Sequence, residues 1–186
     1  MINLTKRKKA ERRFQFYGIF AVCLSLLFVL VLILNIFFAG IGGFFKTSFI
    51  IPFHFDQNLL KIDENSSQEQ IRKASFRKVT SENFKKIFSN YSKDEIKQIK
   101  KLFYRKIDKE AQKQLLDNPN YLNQTIEIAF TASTGIDQIH KGNFNRDIPE
   151  NQRKINNFQL QIYDQFVSEG KVKKVFNTDY LSLIHI

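Results

Sequence analysis

The chain has 186 residues, of which 43% are hydrophobic and 25% are charged, and its formal net charge is +11. This length accommodates one domain of ordinary size and one short segment with a different role. The charge alone is compatible with nucleic-acid binding. However, no second dense basic cluster follows the N-terminal one, and the aromatic strand signatures of RNA-binding modules are absent from the sequence. The composition therefore argues against a nucleic-acid partner.

Residues 1–16, MINLTKRKKAERRFQF, form a basic arm that runs directly into an apolar segment. Lys and Arg are enriched on the cytoplasmic side of membrane helices and are attracted to the anionic inner surface of the membrane. We therefore predict a cytoplasmic N-terminus in which the basic residues of the arm act as a topology anchor. These residues are Lys6, Arg7, Lys8, Lys9, Arg12 and Arg13.

The apolar segment, residues 17–40, is predicted to be a transmembrane helix in the lipid bilayer. No charged residue lies between Arg13 and Lys46, and only Ser25 and Asn35 interrupt the apolar run as clearly polar residues. About 23 helical residues span roughly 35 Å, which exceeds the ~30 Å hydrocarbon core of a bilayer. A buried helix of a soluble protein would normally show a polar stripe. A cleavable signal peptide has a shorter apolar run and a small-residue cleavage site, so we predict an uncleaved anchor.

Residues 45–180 are predicted to form a small mixed α+β domain outside the cytoplasm, which makes the fold class membrane-anchored α/β. The first strand is predicted in FFKTSFIIPFHFD, where Phe49, Ile51, Phe53 and Phe55 alternate with less apolar positions. Because Pro52 cannot donate to a strand ladder, this strand is predicted to lie at a sheet edge. QTIEIAFT predicts a second, half-buried strand and KVKKVF a short closing strand.

Three helices are predicted in this domain from their capping and periodicity. Ser66 precedes Glu69 by three residues, and Ser92 precedes Glu95 by three, which is the spacing of a capping box. The second box opens an amphipathic helix in SKDEIKQIKKLFYRKI, whose apolar positions are Ile96, Ile99, Phe103 and Ile107. A further helix is predicted in NNFQLQIYDQFVSEG, with Phe158, Ile162 and Phe166 at four-residue spacing and Gly170 as its C-terminal stop.

The sequence contains no constellation that predicts catalysis, a metal site or a cofactor. His54, His140 and His185 are far apart and have no neighbouring ligand set at metal-binding spacing. No glycine belongs to a phosphate-cradling loop motif. The single cysteine, Cys23, lies within the apolar run and cannot form a disulfide within the chain.

The stretch HKGNFNRDIPENQRKINNFQLQ supplies the candidate binding residues. Gly142 and Pro149 bracket a turn that carries Arg146, Asp147, Glu150 and Arg153. In one interpretation these four side chains form a local ion-pair network that positions the following helix. In the other they form a recognition surface whose arginines bind an anion or an acidic partner. Both interpretations are compatible with the sequence.

Several of these segments resemble one known family. KRKKAERRFQFYG before a single membrane helix, TSFIIPFHFD after it, and HKGNFNRDIPENQRKINNFQLQIYDQFVSEGKVKKVFN are similar to the N-terminal region of PstA-type permease subunits of bacterial phosphate ABC transporters. The resemblance extends from about residue 6 to Asn177. The family's fold implies a first membrane helix, an extracytoplasmic domain of unsettled role and then a multi-helix permease core.

The resemblance also implies a function and a set of partners. A family member belongs to an inner-membrane phosphate importer with a second permease subunit, a separate ATPase subunit and a periplasmic phosphate-binding protein. This chain ends at TDYLSLIHI, and residues 181–186 fit the family poorly. We therefore predict the N-terminal part of a permease, located in the cell inner membrane with a periplasmic domain, which is not an enzyme and not transport-competent as this fragment.

Two other interpretations remain open. The chain could be a single-pass, membrane-anchored extracytoplasmic binding or signalling module, whose outer domain contacts a partner. An anchored enzyme is the least favoured interpretation, because no nucleophile, base or metal cluster is evident in the sequence.

Overall fold

The structure is a computed structural model in which residues 4–177 are described. The chain divides at the junction of Phe44 and Phe45 into two compact units. The first contains helix α1 (Leu4–Ile41) and a short 3-10 turn (Gly42–Phe44). The second contains a three-stranded sheet surrounded by helices. The predicted mixed α/β class is thereby confirmed.

Helix α1 is long and apolar enough to cross a membrane. It covers most of the basic arm as well as the apolar segment, in one continuous helix. Its apolar side chains are exposed along the whole apolar segment: Phe28, for example, is 67% exposed. The Ser25 hydroxyl donates to the Val22 carbonyl at 2.8 Å, which satisfies this polar group within the helix itself.

The second unit contains seven further helices and three strands among the described residues. The strands are β1 (Phe45–His54), β2 (Thr125–Thr131) and β3 (Val172–Phe176). The helices are α2 (Gln57–Leu60), α3 (Gln68–Lys73), α4 (Phe76–Ile87), α5 (Lys93–Lys100), α6 (Ile107–Asp117), α7 (Thr134–His140) and α8 (Asn157–Ser168). Short 3-10 turns cover Pro119–Tyr121 and Glu150–Gln152.

The prediction that β1 lies at a sheet edge is wrong, because β1 is the central strand in the order β2-β1-β3. Both neighbours are antiparallel to it, but β3 pairs only as far as Phe49. The next amide on that side, of Ile50, donates to the Lys171 carbonyl at 2.8 Å. Amides two residues apart point to the same side of a strand. Pro52, which lacks an N–H, therefore lies where β3 has already ended, and no ladder bond is lost.

The alternation predicted for β1 is confirmed and builds the core. Phe49, Ile51, Phe53 and Phe55 are at most 1% exposed. The Phe49 ring lies 5.0 Å from the Phe103 ring and 4.8 Å from the Phe166 ring, measured between centroids. The core therefore joins one sheet face to the loop after α5 and to α8.

One of the two predicted capping boxes is displaced by one residue. Helix α3 is capped by Ser67 with Gln70, and Ser66 instead donates its hydroxyl to the Asp63 carboxylate at 2.9 Å. The box of Ser92 and Glu95 at the start of α5 is confirmed.

The helix predicted to run from the second box to Ile107 is wrong beyond Lys100, where α5 ends. The chain leaves the helix so that Phe103 can pair with Ala132 in an isolated bridge, and the Tyr104 amide donates to the Thr131 carbonyl at 2.8 Å. Burial of the Phe103 ring against Phe49, Phe84 and Phe166 overrides the helical periodicity. The chain resumes as α6 at Ile107.

The remaining predicted elements are confirmed. QTIEIAFT contains β2, NNFQLQIYDQFVSEG contains α8, and KVKKVF contains β3. Gly170 adopts a φ of +68° directly after α8, a conformation that favours glycine over residues with a Cβ.

Replacing the central core phenylalanine, Phe49→Ala, is expected to lower the free energy of unfolding by about 3–5 kcal/mol, because the cavity left between three aromatic neighbours cannot collapse. Urea unfolding of the full chain in lipid nanodiscs, followed by tyrosine fluorescence, measures this change. Phe176→Ala is the matched control, since Phe176 is 43% exposed. An equal loss for both variants would contradict the core assignment.

Candidate functional site

The sequence-predicted binding residues lie on the loop between α7 and α8. Arg146 contacts α8, where its Nη2 atom lies 2.7 Å from both carboxylate oxygens of Asp164. Its guanidinium also lies 5.8 Å from the centre of the Tyr163 ring. Asp164 was missed at the sequence level. The pairing means that the charge of Arg146 is already offset by a carboxylate.

The other three candidates, Asp147, Glu150 and Arg153, contact other side chains than that of Arg146. The carboxylate of Glu150 accepts from the side-chain amide of Asn157, and Arg153 donates to the side-chain oxygen of the same residue. The Asp147 amide donates to the Asn145 side chain at 3.0 Å. Among the described residues these four charges form no ion pair with one another, so the interpretation as a local ion-pair network is wrong. Their role as a recognition surface stays a prediction.

Tyr163 and His140 form a partly buried contact beside Arg146. The Tyr163 hydroxyl lies 2.8 Å from His140 Nδ1. Burial lowers the pKa of His140, and the nearby Lys174 ammonium lowers it further. Burial raises the pKa of the Tyr163 phenol. Both side chains are therefore uncharged at neutral pH, and the contact joins α7 to α8 without a charge.

A charged contact joins α7 to the start of β1. The Asp137 carboxylate accepts from the Thr47 amide at 2.9 Å, from the Thr47 hydroxyl at 2.8 Å and from Lys141 Nζ at 2.7 Å. Lys141 Nζ also donates to the Phe45 carbonyl at 2.7 Å. The side chains of Lys141 and Asp137 are only 14% and 16% exposed. We call this set, Asp137 with Thr47 and Lys141, the Asp137 clamp.

The ionisation of Asp137 is favoured by the clamp. Burial alone would raise the pKa of this carboxyl, but the hydrogen bonds from Lys141 and Thr47 outweigh burial and hold the pKa below its usual 3.8. The side chain is therefore a carboxylate at neutral pH. Its oxygens accept hydrogen bonds from Thr47 and Lys141, which hold α7 in place.

Ser133, Thr134 and Gly135, at the start of α7, form one wall of a cavity of about 510 Å³. The opposite wall is the loop between α5 and α6. Four basic side chains line the cavity, around an apolar surface that includes Phe103 and Ile155: Lys100, Lys101, Arg105 and Lys154. We call it the basic cavity. Sequence reasoning missed it because its basic residues come from two segments about 50 positions apart.

The basic residues of this cavity differ in whether their charged groups contact another side chain. The ammonium of Lys100 lies 5.2 Å from the centre of the Phe84 ring and 3.4 Å from the Ser81 hydroxyl. Burial lowers the pKa of Lys100. The side chains of Lys101, Arg105 and Lys154 form no ion pair or hydrogen bond with any described residue, and all three are exposed.

The described residues hold no group of three His, Cys, Asp or Glu side chains that could bind a metal ion. The cavity presents basic side chains beside the exposed Tyr104 ring, an arrangement suited to electrostatic binding.

The substitution Asp137→Asn tests the clamp. Because the pKa of Asp137 is depressed by folding, its ionised form stabilises the folded chain above pH 3.8, and this contribution is lost as the pH falls through the lower folded-state value. We expect the variant to lose about 1–3 kcal/mol of unfolding free energy at pH 7. The difference from the unmodified chain should shrink below about pH 4.

Urea unfolding at a series of pH values measures this effect. Asp94→Asn is the matched control, because Asp94 also pairs with a lysine but its side chain is 85% exposed. A deficit for Asp137→Asn that stays constant down to pH 2 would show that the carboxylate charge is not what stabilises the contact.

Comparison with known proteins gives one match. A family model described as "Domain of unknown function (DUF3333)" matches residues 1–150. No curated protein and no solved structure matches the chain. The family model covers α1 and the second unit as far as the loop that carries Arg146. Since this is more than half of the chain, the protein belongs to the DUF3333 family.

Proposed function

We propose that this chain is the N-terminal part of the inner-membrane permease subunit of a phosphate ABC importer. The observation that carries the proposal is the order of its parts. A basic stretch leads into an exposed apolar helix of membrane-spanning length, and a separate mixed α/β unit follows. The resemblance of three segments to PstA-type permeases supports the assignment to phosphate transmembrane transport.

The proposed partners follow from that resemblance. The chain would assemble in the bilayer with a second permease subunit and an ATPase subunit, and the complex would receive phosphate from a periplasmic binding protein. ATP hydrolysis would belong to the ATPase subunit, so this chain itself is not proposed to be an enzyme. One helix cannot enclose a path for a polyanion, which requires several helices around a solvated route.

The proposed orientation places the N-terminus in the cytoplasm and the unit that begins at Phe45 in the periplasm. Six basic residues precede the apolar run, whereas only Lys46 lies in the first twenty residues or so beyond it. The positive-inside rule favours retention of the more basic flank in the cytoplasm.

A second candidate function is a membrane-anchored extracytoplasmic binding module. The basic cavity favours this candidate, since three unpaired cations beside the exposed Tyr104 ring are suited to binding rather than to a structural role. Both candidates share the membrane anchor and differ in whether phosphate uptake depends on the chain.

A reporter fused after Asn177 tests the orientation. Alkaline phosphatase, which folds only outside the cytoplasm, should be active in this fusion, and green fluorescent protein at the same place should be dark. Replacing Lys6, Arg7, Lys8 and Lys9 by Gln should lower phosphatase activity, because only Arg12 and Arg13 then remain before the helix against Lys46 after it. The matched control replaces Arg72, Lys73, Arg77 and Lys78 by Gln. It should leave phosphatase activity unchanged.

Uptake of radiolabelled phosphate tests the assigned process. In cells that carry a stop codon in place of Gly18 at the chromosomal locus, high-affinity phosphate uptake should be lost and should return when the unmodified locus is restored. Unchanged uptake, with the unmodified chain present in the membrane of control cells, would overturn the importer and favour the binding module.

A further inference from the structure

We propose that the basic cavity binds a small organic anion that carries an apolar group, such as an aryl or alkyl phosphate or carboxylate. Its volume of about 510 Å³ lies within the range of small-molecule sites, roughly 300–1,000 Å³. The inference concerns the second unit alone and goes beyond the proposed importer, because it does not depend on orientation or on phosphate uptake.

The charge of the cavity selects for an anion. Lys101, Arg105 and Lys154 line it without a side-chain partner among the described residues, and no described carboxylate lines it. Like charges that share one concave surface repel one another, and the low-dielectric wall concentrates their field. An anion in the cavity would offset this repulsion, and a cation would add to it.

Lys100 adds a fourth basic side chain to the lining. Its ammonium lies 5.2 Å from the centre of the Phe84 ring. Burial lowers the pKa of Lys100, and the charges of Lys85 and Arg77 lower it further, while the carboxylates of Asp108 and Glu82 oppose this effect. Because these carboxylates partly offset the charge of Lys100, the preference for an anion rests on Lys101, Arg105 and Lys154.

An exposed aromatic ring at the edge of the cavity selects for an apolar group next to the anionic one. Tyr104 is 41% exposed there, whereas Phe103 and Ile155 are at most 6% exposed and leave little surface for a ligand to cover. Burial of an apolar group contributes about 25 cal/mol for each Å² removed from water. Inorganic phosphate alone would leave the Tyr104 ring exposed to water.

One local feature of α7 shapes the wall of the cavity. At Gly135 a Cβ atom would lie 2.9 Å from the Ile155 side chain, so glycine permits the close approach that shapes this wall.

Calorimetric titration of the full chain in zwitterionic lipid nanodiscs tests the inference, with phenyl phosphate as the probe and empty nanodiscs as the blank. We expect phenyl phosphate to bind about tenfold more tightly than inorganic phosphate, because only the former covers the exposed Tyr104 ring. Phenol, which keeps the ring and lacks the charge, should give no measurable heat above the blank.

The variant Lys101→Gln, Arg105→Gln, Lys154→Gln should weaken phenyl phosphate binding about tenfold, since three charges are removed from the rim. The matched control is Arg72→Gln, Lys93→Gln, Lys173→Gln, which removes the same residue types and charge from exposed positions outside the cavity. A variant with Lys101→Arg and Lys154→Arg keeps the charge and should keep the affinity, which separates loss of charge from loss of folding.

Three results would overturn the inference. The first is no heat from phenyl phosphate with the unmodified chain. The second is equal weakening by the cavity variant and the control variant, which would indicate general surface charge. The third is equal affinity for phenyl phosphate and inorganic phosphate. None of these results bears on the topology or uptake experiments. A failure of this inference therefore leaves the importer proposal to be decided by those two experiments.

Discussion

The Asp137 clamp is the contact on which the arrangement of the second unit depends. β1 is the central strand, and its first residues lie where β3 also pairs with it. Asp137 accepts two hydrogen bonds from Thr47 there, while Lys141 binds both Asp137 and the Phe45 carbonyl. A half-buried carboxylate with three donors is strongly preferred over an unpaired one. The clamp therefore fixes the position of α7 against the sheet.

The position of α7 in turn determines the basic cavity. Ser133 and Gly135, at the start of α7, form one wall, and the facing loop is held by the bridge of Phe103 with Ala132. Arg146, the most conspicuous candidate in the sequence, is instead neutralised by Asp164. The structure thus adds a second candidate for anion binding, the unpaired cations around a cavity, to the loop that carries Arg146.

Local periodicity and capping predicted the three strands and the helices α1, α3, α5 and α8, but not α2, α4, α6 and α7. The alternation at Phe49 to Phe55 predicts a strand because burial on one face has a period of two. It cannot indicate that β3 ends beside Phe49, which is why Pro52 suggested an edge. The periodicity through Phe103 could not show that Ala132 would draw this residue out of a helix. The basic cavity was not predictable, since only the fold brings Arg105 and Lys154 together.

Amide hydrogen exchange at Thr47, followed by NMR in nanodiscs, tests the central role of the clamp most directly. The clamp predicts that the Thr47 amide is protected to the same extent as the core amides of Phe49 and Phe53, and that Asp137→Ala exposes it together with the amides of α7 while Phe53 stays protected. Rapid exchange at Thr47 in the unmodified chain, or protection that survives Asp137→Ala, would contradict the account.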